Sequence, residues 1–162
     1  MILIPACRRV FRPYCAVRSM SKGSSRCLSS MTRLPRVHVL GLGSIGTFAA
    51  HTLAEISQRA PITLLLHRES LLDDYANNGS QISLKTREAD IVNRNGYDFE
   101  LLRDGSWYEA SLEDESRKSG SNGIPKADKI ENLVVCVKTT QTIKALQPLK
   151  QRITPKSTIL FL

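Results

Sequence analysis

The sequence predicts an α/β protein: a Rossmann-like, mostly parallel sheet with an inserted antiparallel meander, behind a disordered basic leader. Three observations carry this. A short apolar strand meets a glycine cluster, then a helix-like periodicity, then a second apolar strand, all within about 30 residues, the size of a βαβ unit. Residues 133–137 and 158–162 are nearly continuous apolar runs, as in strands covered on both faces. Residues 81–107 alternate loosely and carry turn signals at Asn95-Gly96 and Asp104-Gly105, which favours hairpins.

The leader comes first in the chain. Of 23 Lys and Arg, eight lie in residues 1–54, ahead of the first acidic residue, Glu55; residues 55–162 hold fifteen of each sign. The net charge of +8 therefore belongs to the amino-terminal third. The body is neutral and lacks interleaved aromatic and basic residues, which excludes a nucleic-acid partner as the reading of this charge. Residues 1–35 combine Arg8, Arg9, Arg12, Arg18, Arg26 and Arg33 with six serines and no acid. That is the composition of a mitochondrial transit peptide. Met31 is an alternative start, which would leave a cytoplasmic protein beginning just before the first strand. No stretch approaches the roughly 18 apolar residues of a membrane span. Cys7, Cys15 and Cys27 lie in the leader and only Cys136 in the body, so neither a disulfide framework nor a metal-ligand spacing is present. Cys136 is expected to be a small buried hydrophobe.

The domain proper is expected over residues 36–162. Arg36-Val37-His38-Val39-Leu40 is rich in β-branched residues and reads as the first strand. Ile45, Phe48, Ala49, Leu53, Ile56 and Ala60 then mark one face of a helix, ended by Pro61. Ile62-Thr63-Leu64-Leu65-Leu66 is a second buried strand. Residues 71–78 form a short helix closing at Asn78-Gly79. The meander follows, with strands near residues 82–85, 99–102 and 107–110. Residues 113–129 are charged and rich in glycine and serine, as in a surface loop. Residues 133–137 form another buried strand, 142–149 a short helix and 158–162 a last strand.

Gly41-Leu42-Gly43-Ser44-Ile45-Gly46 falls between the first strand and the helix, the context that a dinucleotide fingerprint requires. In that motif the first glycine permits a tight turn, the second lets the backbone approach a pyrophosphate, and the third allows close helix–strand packing. The helix N-terminus then attracts the anion. At the end of the second strand an acid would bind a ribose 2′-hydroxyl, and an arginine a 2′-phosphate. Here the strand runs into His67-Arg68, with Ser70 as a further donor, so NADP(H) is favoured. Glu69 leaves NAD open, since it can bind a plain ribose or pair with the arginine. Lys138, with Thr139, Thr140 and Gln141, follows a strand whose carboxyl end should face the ligand crevice. His38 and His51 lack a suitably spaced partner for metal; His51 is expected on the polar side of its helix. Trp107 is expected to pack the meander.

Together, Gly-Leu-Gly-Ser-Ile-Gly, the Leu-Leu-Leu-His-Arg strand end and Val-Val-Cys-Val-Lys-Thr-Thr-Gln resemble ketopantoate reductase, also called 2-dehydropantoate 2-reductase. The resemblance covers the family's amino-terminal dinucleotide domain. It implies NADPH-dependent reduction of a 2-keto acid, ketopantoate, to pantoate on the route to pantothenate. It implies that Gly41, Gly43 and Gly46 hold the pyrophosphate, that Arg68 reads the 2′-phosphate, and that Lys138 and Gln141 lie near the cofactor. Two family features do not occur in this sequence: an Asn-Gly element just after the strand at 158–162, and the helical domain that supplies the catalytic lysine. Lys138 is not that lysine, so no catalytic residue is assigned, and residues 31–162 alone are expected to bind cofactor weakly and not to turn over. The competing expectations are a non-catalytic mitochondrial NADP-binding protein and another NADP-dependent hydroxyacid dehydrogenase.

Overall fold

The computed structural model describes residues 34–85, 90–110 and 124–162. Nearly all of the expected leader and much of the expected loop at 113–129 lie outside the described residues. The described elements belong to the unit Thr32–Leu162. They are β1 (Val37–Leu40), α1 (Ser44–Glu55), β2 (Ile62–Leu66), α2 (Glu69–Asn77), β3 (Ile82–Lys85), β4 (Ile91–Arg94), β5 (Tyr97–Arg103), β6 (Ser106–Ala110), β7 (Ile130–Val135), α3 (Thr142–Leu146) and β8 (Ile153–Phe161).

Six strands form the main sheet in the order β6-β5-β2-β1-β7-β8. All neighbours are parallel except β5 and β6. The parallel registers place Leu40 opposite Leu65 and Val135, Leu66 opposite Leu101, and Val135 opposite Phe161, so five strands end together along one edge. The antiparallel part is distributed differently from a single three-strand meander. β3 and β4 form a separate two-strand hairpin, while β5 joins β2 in parallel and takes β6 with it to the edge. The turn at Asn95-Gly96 thus links two sheets rather than two strands of one hairpin.

Alternation along the strands divides the interior into two faces. Val39, Leu64, Leu66, Phe99 and Leu101 pack with Ala50 and Ala54 of α1 and Leu72 of α2. Leu40, Leu65, Leu133, Val135 and Trp107 pack with Leu149. Trp107 therefore fills the main core instead of a separate meander. β2 is buried at every position, as its unbroken apolar sequence requires.

α1 ends at Glu55, earlier than Pro61 would dictate. Arg59 supplies the stop: its Nη1 donates to the Ala54 carbonyl at 3.1 Å and its Nη2 to the Asn95 carbonyl at 2.9 Å. Those bonds satisfy a helix-terminal carbonyl and pin the linker to the hairpin. His51 does not lie on a polar side. It is 6% exposed, with Nε2 3.1 Å from the Val92 carbonyl, because the β3–β4 hairpin covers that flank of α1. α2 begins at Glu69, earlier than expected, and closes at Asn78, whose Nδ2 donates to the Asp74 carbonyl at 2.8 Å. Residues 147–149, expected as the end of the last helix, tighten into a 3-10 turn.

At the amino-terminal end of the second face the interior turns polar. Arg152 Nη1 and Nη2 donate to the two carboxylate oxygens of Glu100 at 2.6 and 3.1 Å, and Nε donates to the Asp128 carbonyl at 2.9 Å. His38 lies beside them, its Nε2 3.9 Å from Glu100. Burial pushes the His38 pKa down from 6.5 to about 4, against the pull of Glu100 and with the help of Arg152. The unfolded imidazole therefore holds the extra proton between about pH 4 and 6.5. This contribution to stability is complete above pH 6.5 and lost as pH falls towards 4, by on the order of 3 kcal/mol. Denaturant unfolding at pH 7.5 and 4.5 should show that loss, and His38→Leu should reduce it.

Candidate cofactor site

The glycine turn leaves the end of β1 at the edge where the parallel strands finish. Gly41 has φ +94°, a conformation that side chains rarely adopt. A Cβ there would also lie 2.6 Å from Val137 Cγ1 and 2.7 Å from the Cys136 carbonyl oxygen. Gly46 is tighter still: its Cβ would lie 1.9 Å from the Gly41 carbonyl oxygen and 3.2 Å from Cys136 Cβ. These two glycines let α1 and the end of β7 close onto the turn. Cys136 is half-buried and packs against the core, and burial raises its thiol pKa. Its place as the wall behind the turn was not readable from its position in an apolar run.

Gly43 is different. It is exposed, has extended φ and ψ of −77° and −169°, and a Cβ would meet nothing within 4 Å. It is the N-cap of α1, with no side-chain cap and no acid in the first turn. The helix terminus thus keeps backbone N–H donors and the positive end of its dipole turned to open space. Of the other motif residues, Ser44 and Ile45 are exposed, while Leu42 packs against the core and anchors the turn.

Arg68 is exposed at the N-cap of α2; its carbonyl accepts the Leu71 N–H at 3.3 Å, and its side chain makes no hydrogen bond or ion pair among the described residues. Glu69 does not pair with it; Glu69 Oε1 takes Nη2 and Nε of Arg103 at 2.7 and 2.9 Å. His67 is exposed, and partial burial and then the neighbouring Arg68 lower its pKa. Lys138 and Gln141 are exposed on the turn leaving β7, where the Lys138 carbonyl accepts the Gln141 N–H at 2.8 Å. Val137 of the same turn touches the Gly41 region directly. The fold therefore carries Gly41–Gly46, Arg68, Lys138 and Gln141 to one edge. An uncapped helix terminus with an unpaired arginine and a lysine nearby suits a phosphate-rich ligand.

A cavity of about 640 Å³ lies at the opposite edge, lined by Arg36, His38, Asp98, Glu100, Lys126 and Arg152 among others. Its main charges pair with one another: Arg36 with Asp98, Arg152 with Glu100, Lys126 with Glu109. We assign it to structure. No cluster of three or more metal-ligating side chains exists among the described residues, and none of their helices is long and apolar enough to cross a membrane.

The fold has a solved counterpart, described as the ternary structure of D-mandelate dehydrogenase with NADH and anilino(oxo)acetate. It matches with a TM-score of 0.53 at 16% identity, over 78% of this chain and 33% of that chain. At that identity the likeness is one of fold, and this chain spans about a third of the other's length. No curated protein matches. The family model for ketopantoate reductase PanE/ApbA matches residues 37–162, which include the whole of the main sheet and the glycine turn. Over those residues the chain belongs to the ketopantoate reductase PanE/ApbA family.

Proposed function

We propose that this chain forms the NADPH-binding part of a 2-keto acid reductase, with ketopantoate as the foremost substrate. The observation that carries the reading is Gly43, open where a Cβ would sit, at an uncapped helix start. Gly41 and Gly46 shape the turn, and the N–H groups of the first turn of α1 would receive the pyrophosphate. Arg68 would take the 2′-phosphate, with its guanidinium free to form a two-point contact. Lys138 would add positive charge to the same edge, facing either a cofactor phosphate or a substrate carboxylate. NADPH supplies, when bound, the hydride that converts a ketone carbonyl to an alcohol. Membership in the PanE/ApbA family supports the reductase class and this choice of substrate. The acid-free, arginine-rich composition of residues 1–35 supports import into mitochondria.

Titrating the full chain with NADPH and with NADH tests the cofactor assignment. Tighter binding of NADPH is expected. Arg68→Ala should weaken NADPH by about tenfold to a hundredfold, the loss of a charge-assisted contact of roughly 1.5–3 kcal/mol, and leave NADH nearly unchanged. Equal affinities that Arg68→Ala does not alter would remove Arg68 from the site.

A further inference from the structure

The pairing of Glu69 bears on how this edge chooses its cofactor. β5 runs beside β2 with Leu101 opposite Leu66, so Arg103, the last residue of β5, reaches the turn into α2. Two of its nitrogens hold one carboxylate oxygen of Glu69. Glu69 is the only acid in the first turn of α2 and directly follows Arg68. A carboxylate at the end of this strand accepts ribose hydroxyls and repels a 2′-phosphate. Arg68 alone would therefore compete with its own neighbour. With Arg103 present, Arg68, Glu69 and Arg103 sum to one positive charge, and the acid is held by a residue other than Arg68.

We infer that Arg103 is a positioning residue that sets cofactor choice by holding Glu69 away from the ribose end of the site. This rests on the NADPH reading above. It adds that Arg68 reads the 2′-phosphate more strongly while Arg103 occupies the acid. The side chains of Glu69 and Arg103 are 67% and 40% exposed, so the pair contributes little to folding, and its loss should leave the domain intact.

The test uses the full chain, with thermal melts to confirm folding and titrations of NADPH and NADH. Arg103→Met should lower the NADPH-to-NADH affinity ratio roughly fivefold, the scale set by an exposed ion pair, with part of the change a gain in NADH binding. Adding Glu69→Gln to Arg103→Met should bring the ratio back to within about twofold of the parent, because the freed acid is gone. A ratio that Arg103→Met leaves unchanged overturns the inference. So does a loss of NADPH affinity that Glu69→Gln fails to rescue, since Arg103 would then touch the phosphate itself or act only through structure. A parent chain that prefers NADPH through Arg68 but ignores Arg103→Met keeps the proposed function and removes only this inference. A parent that binds neither cofactor overturns both.

Discussion

Gly46→Ala should prevent the domain from folding stably. The added Cβ would sit 1.9 Å from the Gly41 carbonyl oxygen, which is backbone and cannot swing aside. The overlap could be relieved only by lifting α1 from the sheet, and that would expose Ala50 and Ala54, which pack against Val39 and Leu64. It would also part the turn from Cys136, the residue next nearest the new atom. Overpacking of this kind against backbone costs about 4 kcal/mol or more, a large fraction of the 5–15 kcal/mol that holds a domain together. The expected result is insoluble protein, or a melting temperature lower by about 15 °C or more. A variant that melts within a few degrees of the parent would mean that α1 does not approach the strand this closely.

Arg152→Met should be nearly as damaging, for a different reason. The parent buries a two-point ion pair, Glu100 and Arg152 being 6% and 3% exposed. Removing the arginine leaves a buried carboxylate without its two-point partner, with His38 Nε2 3.9 Å away. Breaking one partner of a buried pair typically costs about 3–5 kcal/mol, whereas replacing both by apolar groups is often close to neutral. The double variant Glu100→Leu/Arg152→Met should therefore recover most of what the single variant loses. Denaturant unfolding of the parent, both single variants and the double variant checks this as a cycle. If the double variant were no better than Arg152→Met, the damage would lie in lost packing or in the lost bond to the Asp128 carbonyl.

These two sites differ in how far the sequence reveals them. The glycine turn is local: strand, glycines and helix follow one another, so both spacing and context are visible in the chain. The apolar strands are visible for the same reason. The position of β5 is not, because Tyr97, Phe99 and Leu101 alternate with Asp98 and Glu100 as they would in a meander. What decides the matter is that Glu100 finds Arg152, 52 residues away. An acid inside an apolar strand was the available signal, but nothing in the sequence names its partner. His51 was misplaced for a similar reason: helical periodicity sees the sheet beneath α1 and not the hairpin that closes over its flank. At the edge, Arg68 and Lys138 could be marked from strand ends. The Glu69–Arg103 pair could not, since it joins residues 34 apart.

Family membership and the sheet order account for the scaffold, and the central claim concerns what the turn is for. A turn that serves only to join strand and helix has no need of an empty space beside Gly43. The most direct test is Gly43→Ala in the full chain, followed by thermal unfolding and by NADPH titration. A Cβ there meets nothing and the backbone conformation is open to any residue, so the melting temperature should fall by no more than about 5 °C, the scale of losing a glycine N-cap. The same Cβ would stand where the pyrophosphate approaches, so NADPH affinity should fall by about tenfold or more. A variant that is equally stable and binds NADPH as tightly as the parent would contradict the assignment of this turn as the cofactor cradle.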